Sequence, residues 1–168
     1  MDPKRFTAVL GQFLSGVTVI TAVRVDDTGV PRLHGMTASA FMSLSIDPPL
    51  VVVSVQRKAH MHAHLAAGGP FAISVLAAGQ ELTSNHYAGW PKAGFEPMML
   101  AVGPEGPYRT PVVAEALAWL DLDLHAAVDA GDHTLFIGRV VDLDRGPDPD
   151  RGPLAYFAGK YGVFTKAG

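Results

Sequence analysis

A chain of 168 residues, 48% hydrophobic and 17% charged, carries enough apolar material for one compact domain and too little length for two ordinary ones. Its formal charge of −3, with lysine and arginine scattered along the chain, offers no basic stripe to a phosphate backbone, so no nucleic-acid partner is expected. It has no cysteine, which excludes disulfides, thiolate metal ligands and a thiol nucleophile.

Asp2 before Pro3 reads as an N-cap with proline in the first turn. Phe6, Val9, Leu10, Phe13 and Leu14 then recur at helical spacing and predict an amphipathic helix ending near Gly16. Gln12, Ser15, Gly16 and Thr18 interrupt the apolar segment and no small-residue cleavage site follows, which argues against a signal peptide and for a cytoplasmic protein. No uninterrupted apolar run reaches the roughly 18 residues of a membrane span. From Val17 to Val25 β-branched residues alternate, Asp26-Asp27-Thr28-Gly29 forms a turn, and the return from Val30 to Met36 completes a hairpin. Residues 37–45 predict a further strand, stopped by Asp47-Pro48-Pro49, and residues 50–57 are apolar enough for a strand buried on both faces. A short helix over 58–67 ends at Gly68-Gly69-Pro70.

In the second half, residues 71–77 read as a strand and 79–90 as a helix. Prolines and glycines between Trp90 and Pro111 predict an irregular surface connection anchored by Phe95 and Tyr108. Strands over 116–130 and 133–144 turn at Gly131-Asp132. In the first of these Leu120, Leu122 and Leu124 suit one apolar face, whereas Trp119, Asp121 and Asp123 do not fit a simple pattern. Residues 153–164 form the last element. Strands dominate, helices are few and short, and no regular βαβ alternation occurs, so the prediction is a mainly β, antiparallel barrel in a single domain over 1–168.

The common dinucleotide, triphosphate, serine-hydrolase and zinc-protease motifs are missing, so any nucleotide must be held another way. Three segments are candidates. In His34-Gly35-Met36-Thr37-Ala38-Ser39-Ala40, small side chains beside hydroxyls suit the approach of a flat ring or a phosphate; an ordinary strand end is the other reading. Ser54-Val55-Gln56-Arg57-Lys58 joins a buried strand to a helix start, where backbone amides and cations suit an anion; a solvated helix start is the alternative. In Gly131-Asp132-His133-Thr134 the histidine either contacts a bound nucleotide or braces the turn. His60 and His64 share a helix face, but no acidic third ligand stands nearby and no metal is expected.

The order of FLSGVTVIT, GMTASAFMSLSIDPPLVVVSV, FAISVLAAGQ, AGDHTLFIGRVVDL and PLAYFAGKYG closely resembles the flavin reductase-like family, the NAD(P)H:flavin oxidoreductases that supply two-component monooxygenases. The resemblance covers nearly the whole chain. It implies an FMN-binding split β-barrel, Greek-key-like, forming a homodimer with flavin near the subunit interface. By position it places Thr37, Ala38 and Ser39 on the isoalloxazine, and Ser54, Val55, Lys58 and His60 toward the ribityl chain and phosphate. It places His133 beside the nicotinamide of NADH or NADPH, with Tyr161 near the same region. Ser74 stands where the family often has asparagine, His60 where a small hydroxyl residue is common, and His86-Tyr87 where a basic residue and Phe are frequent, leaving FMN and FAD both open. The implied activity is hydride transfer from nicotinamide to flavin; the alternative is a split barrel that carries or senses flavin or haem without catalysis.

Overall fold

The computed structural model describes residues 1–100, 109–148 and 150–165. The Asp2 carboxylate accepts the Lys4 N–H at 3.0 Å and caps α1 (Pro3–Leu10), which stops at Gly11, well short of Gly16. Beyond it the chain tightens: Gln12 N–H bonds Val9 O at 3.1 Å and Phe13 N–H bonds Leu10 O at 3.0 Å, leaving Phe13 and Leu14 outside the helix.

After β1 (Ser15–Gly16), β2 (Thr18–Val25) and β3 (Pro31–Ala38) form the expected hairpin. Asp26 ties its turn, accepting from Thr28 N–H at 2.9 Å, Val30 N–H at 3.0 Å and Arg32 Nε at 3.0 Å. With the Thr28 hydroxyl contributing most, these donors hold the Asp26 carboxyl down to about 2. β3 runs two residues further than the sequence pattern suggested and takes in Thr37 and Ala38. β4 (Phe41–Ser45), β5 (Leu50–Gln56), α2 (His60–Ala66), β6 (Pro70–Val75) and α3 (Glu81–Tyr87) follow. The connection after Trp90 is not wholly irregular, because β7 (Met99–Leu100) pairs with β8 (Val112–Val113). Phe95 is half-buried there, while Tyr108 lies outside the described residues. β9 (Ala118–Ala130) and β10 (His133–Arg145) make a long hairpin. The last predicted element is itself a hairpin of β11 (Leu154–Phe157) and β12 (Lys160–Val163), turned by Ala158 and Gly159, both at positive φ.

The main sheet has seven antiparallel strands in the order β3-β2-β6-β9-β10-β5-β4. Its two edges, β3 and β4, are joined by only Ser39 and Ala40. Such a link spans no more than about 11 Å, so the sheet must roll until its edges meet at that corner. Ser54 N–H, donating to Ala40 O at 3.1 Å, pins the corner to β5.

Inside the roll lie Ile20, Val53, Val55, Phe71, Ile73, Leu122 and Phe136, with Met61 and Leu65 of α2 packed against them. Each such side chain contributes about 1.5–3 kcal/mol by leaving water. A Cβ at Gly138 would lie 2.7 Å from Phe71 Cζ, so glycine at this point of β10 makes room for the phenyl ring. Val17, Val19, Leu76, Val113, Ala116 and Leu154 form a second cluster beside the small sheet β1-β11-β12.

The polar face of β9 is explained by a distant partner. Arg109 Nε lies 2.7 Å from Asp121 Oδ2 and its Nη1 2.9 Å from Asp123 Oδ1. Asp121 is buried, and a buried carboxylate requires such a cation. The hydrogen bond to Asp121 is also the main reason the Arg109 pKa is pushed up.

Candidate active site

Three elements converge on the outer face of the β2–β3 hairpin, opposite the side chains of Ile20, Met36 and Ala38 that fill the roll. β3 supplies Thr37, α3 supplies Ser84 and Asn85, and β12 supplies Tyr161. Thr37 Oγ1 donates to the Ser84 carbonyl at 2.6 Å, fixing α3 to β3. Tyr161 Oη donates to Asn85 Oδ1 at 2.8 Å. A phenol has one proton, so in its 2.9 Å contact with Ser84 Oγ the serine is the donor. The result is a hydrogen-bond chain of one direction, from Ser84 through Tyr161 to Asn85.

With Val17, Ser39, Trp90 and Tyr156, these residues line a cavity of about 280 Å³. Ser39, Tyr156 and Gly159 also wall a wider groove of about 790 Å³ running along α1. α3 comes this close to β3 because residue 35 is glycine: a Cβ there would lie 2.2 Å from the Tyr87 ring. Burial pushes the Tyr87 phenol pKa up, and Glu96 adds to the shift. Its hydroxyl meets Met99 Sδ at 3.3 Å.

A second polar group forms where β5 ends beside the β9–β10 turn. His133 lies opposite Gln56, Thr134 opposite Val55 and Leu135 opposite Ser54. Arg57 N–H donates to Asp132 O at 3.0 Å, and Arg57 Nη2 lies 2.8 Å from Asp129 Oδ2. His133 Nδ1 stands 2.8 Å from Asp132 Oδ1. Thr134 Oγ1 contacts His62 Nε2 at 2.9 Å and Asp129 Oδ1 at 3.3 Å.

The model of the flavin reductase-like domain matches residues 10–165. The chain belongs to the flavin reductase-like domain family. An NADH-dependent flavin reductase of a Rhodococcus species is 39% identical over 162 residues, covering 96% of this chain and 86% of that protein. The reductase component of 4-hydroxyphenylacetate 3-monooxygenase from Thermus thermophilus is 39% identical over 156 residues, covering 93% of each chain. Among solved structures, the NADH:FAD oxidoreductase SgcE6 of Streptomyces globisporus, in complex with NAD and FAD fragments, superposes with a TM-score of 0.81. It is 34% identical, over 98% of this chain and 96% of that one.

Within this flavin reductase-like chain the sequence candidates separate into groups. Thr37 and Ser39 line the cavity and Tyr161 closes it. Ser54, half-buried, is joined to them through Ala40, while Lys58 and His60 are exposed at the entry to α2. The side chains of Ala38 and Val55 face the core, and the Val55 N–H is directed at Thr134 in the β5–β10 ladder, in phase with the Arg57–Asp132 bond. Ser74 is fully buried and its Oγ accepts the Val113 N–H at 2.9 Å, so it holds β8 to β6. Ser74 lies on no wall of the cavity between β3, α3 and β12. Tyr161 is bonded to α3 and His133 to its own turn, and among the described residues no hydrogen bond joins the two. His64 stacks on His34, with ring centroids 3.8 Å apart. Burial lowers the His64 pKa, with His34, Arg24 and His60 adding to the shift.

Sequence reasoning missed Ser84, Asn85, Trp90 and Tyr156. The only signal was the polar run Thr83-Ser84-Asn85-His86 on an otherwise ordinary helix, which shows no function until Tyr161 reaches it from the far end of the chain.

Proposed function

We propose that this chain uses NADH to reduce a flavin, FMN or FAD, in the cavity between β3, α3 and β12, and that it passes reduced flavin to a partner monooxygenase. The observation that carries this reading is a ring-sized cavity lined by hydroxyls, a carboxamide and aromatic rings, joined to a longer groove, in a fold that a 34% identical oxidoreductase shares in complex with NAD and FAD fragments. These residues fit a flavin: the small side chains admit a flat ring, and Thr37, Ser39 and Asn85 offer polar contacts to its edge. Bound flavin supplies the hydride-accepting chemistry, so no protein nucleophile is required.

The protein's own work is positioning. Thr37 and Ser39, with the Ala38 backbone, border the ring; Ser54, Lys58 and His60 lead toward the phosphate, with Val55 holding Ser54 in place from the core side; His133 orients the nicotinamide. NADH is the expected donor because the Rhodococcus relative is NADH-dependent, with NADPH as the competing substrate. An oxygenase partner is expected because the Thermus relative is the reductase component of a monooxygenase.

The chain acts as a homodimer in this reading. α1 is amphipathic yet buries none of its residues, and Phe6, Val9, Leu10 and Phe13 stay more than half exposed. A second copy would cover that apolar face. Among the described residues no helix is long and apolar enough to cross a membrane. We place the single domain of residues 1–168 in the cytoplasm, where NADH is available. Purified protein mixed with either flavin and either nicotinamide nucleotide should oxidise the nucleotide; no oxidation in any combination refutes the proposal. Sedimentation should give twice the 17.7 kDa chain mass, and a monomer at working concentration would remove the dimer.

A further inference from the structure

We propose that Asp132 is a positioning residue for His133: it fixes the proton on Nδ1 and so presents a bare Nε2 to the carboxamide of the nicotinamide. This rests on the reading of His133 as the nicotinamide contact. Gly131, at φ 66°, turns the chain so that Asp132 and His133 follow one another at the mouth of the β9–β10 hairpin. The Asp132 backbone is held by the Arg57 N–H, and Arg57 is held in turn by Asp129, so the turn is tied to β5 on one side and to β9 on the other. Its carboxylate receives His133 Nδ1 at 2.8 Å, with the Gln56 side chain as a further donor.

The His133 hydrogen bond is the largest reason the Asp132 carboxyl is held below its usual range, so the group is ionised at neutral pH. An ionised carboxylate only accepts, so Nδ1 carries the hydrogen whatever the charge of the ring. A neutral ring then has Nε2 free as an acceptor. A carboxamide N–H is the matching donor, and it distinguishes a nicotinamide from a ring without that group. Neither neighbour can replace Asp132 in this task. Asp129 is engaged by Arg57 and by Thr134 Oγ1, and the Thr134 hydroxyl also meets His62. Asp132 touches neither flavin nor nicotinamide in this scheme and acts through the imidazole.

The test compares Asp132→Ala, Asp132→Asn, His133→Ala and the double variant in steady-state turnover with NADH and FMN. Asp132→Ala should raise the NADH KM about fivefold, the scale of one hydrogen bond, with the flavin KM unchanged. Asp132→Asn keeps an acceptor oxygen and should recover most of the loss. In the His133→Ala background, Asp132→Ala should add nothing. In protein labelled with ¹⁵N-histidine, His133 should show an Nδ1–H ring in wild type and lose that signature in Asp132→Ala. A wild-type NADH KM in Asp132→Ala alongside a raised one in His133→Ala overturns the inference, as does an additive double variant. An unchanged NADH KM in His133→Ala overturns the nicotinamide reading itself. The ring ¹⁵N pattern then still decides whether Asp132 sets the tautomer, and a pattern unaltered by Asp132→Ala refutes it.

Discussion

The cavity between β3, α3 and β12 and the rim where β5 meets the β9–β10 turn are built from opposite materials. In the cavity Thr37, Ser84, Asn85 and Tyr161 are uncharged and bond to one another, so its shape follows from packing and from hydrogen bonds already made. At the rim Arg57, Asp129, Asp132 and His133 are charged or titratable and face solvent, so their arrangement depends on ion pairs that salt weakens. One backbone hydrogen bond, from Ser54 to Ala40, ties the corner beside the cavity to the strand that forms the rim. The difference suggests a division of labour. Under the proposed function the cavity would select a flat ring by shape, and the rim would handle charge and the second nucleotide.

The largest effect should come from filling the space that lets α3 reach β3. Gly35→Val places a side chain into the Tyr87 ring and should destabilise the fold by about 3 kcal/mol, read by thermal unfolding, with flavin binding lost first. Wild-type stability and affinity would show that the cavity does not depend on that contact. Lys58→Ala should weaken flavin by about 1–2 kcal/mol, the scale of a charge-assisted contact, and its effect should shrink as salt rises. Unchanged flavin affinity would move the phosphate away from the rim. Tyr161→Phe leaves Ser84 and Asn85 without their bridge and should cost about 1 kcal/mol in flavin affinity at any salt concentration. If the penalty instead followed salt, the contrast between the two regions would fail.

How much of this was legible in the sequence follows from the range of the interactions. The β2–β3 turn was readable because Asp26 bonds within its own few residues, and β5 because an apolar run needs no partner to declare itself. The end of α1 was misread because Phe13 and Leu14 keep helical spacing although the bonds have tightened at Gln12 and Phe13, past the helical Gly11. Asp121 looked out of place until Arg109, from the proline-rich connection, was seen to cover it. The Ser84–Tyr161 contact joins residues at opposite ends of the second half, and no local pattern encodes such a pair. Ser74, matched by position to a ligand contact, has a structural task that position does not reveal: its buried hydroxyl accepts a backbone N–H from β8. Residues alone left the His34–Ala40 and Gly131–Thr134 segments open between binding and ordinary structure; the order of segments along the chain is what proposes them as a site.

The smallest expected effect lies in neither region. The folded Asp26 carboxyl is held at about 2, below its ordinary 3.8, so its stabilisation is present above pH 4 and is lost as pH falls toward 2. Asp26→Asn should therefore reduce stability at pH 7 and flatten its acid dependence over that interval, measured by chemical denaturation. Flavin and NADH KM should both stay at their wild-type values.

The central claim is that NADH delivers hydride to flavin on this chain, and anaerobic stopped-flow mixing tests it most directly. Protein with FMN or FAD is mixed with NADH while the flavin and nicotinamide absorbance bands are followed together. The account predicts that both bands bleach in equal molar amounts, far faster than in the protein-free control, and that His133→Ala demands more NADH for the same rate. Bleaching no faster than in the control with either flavin and either nucleotide would contradict it.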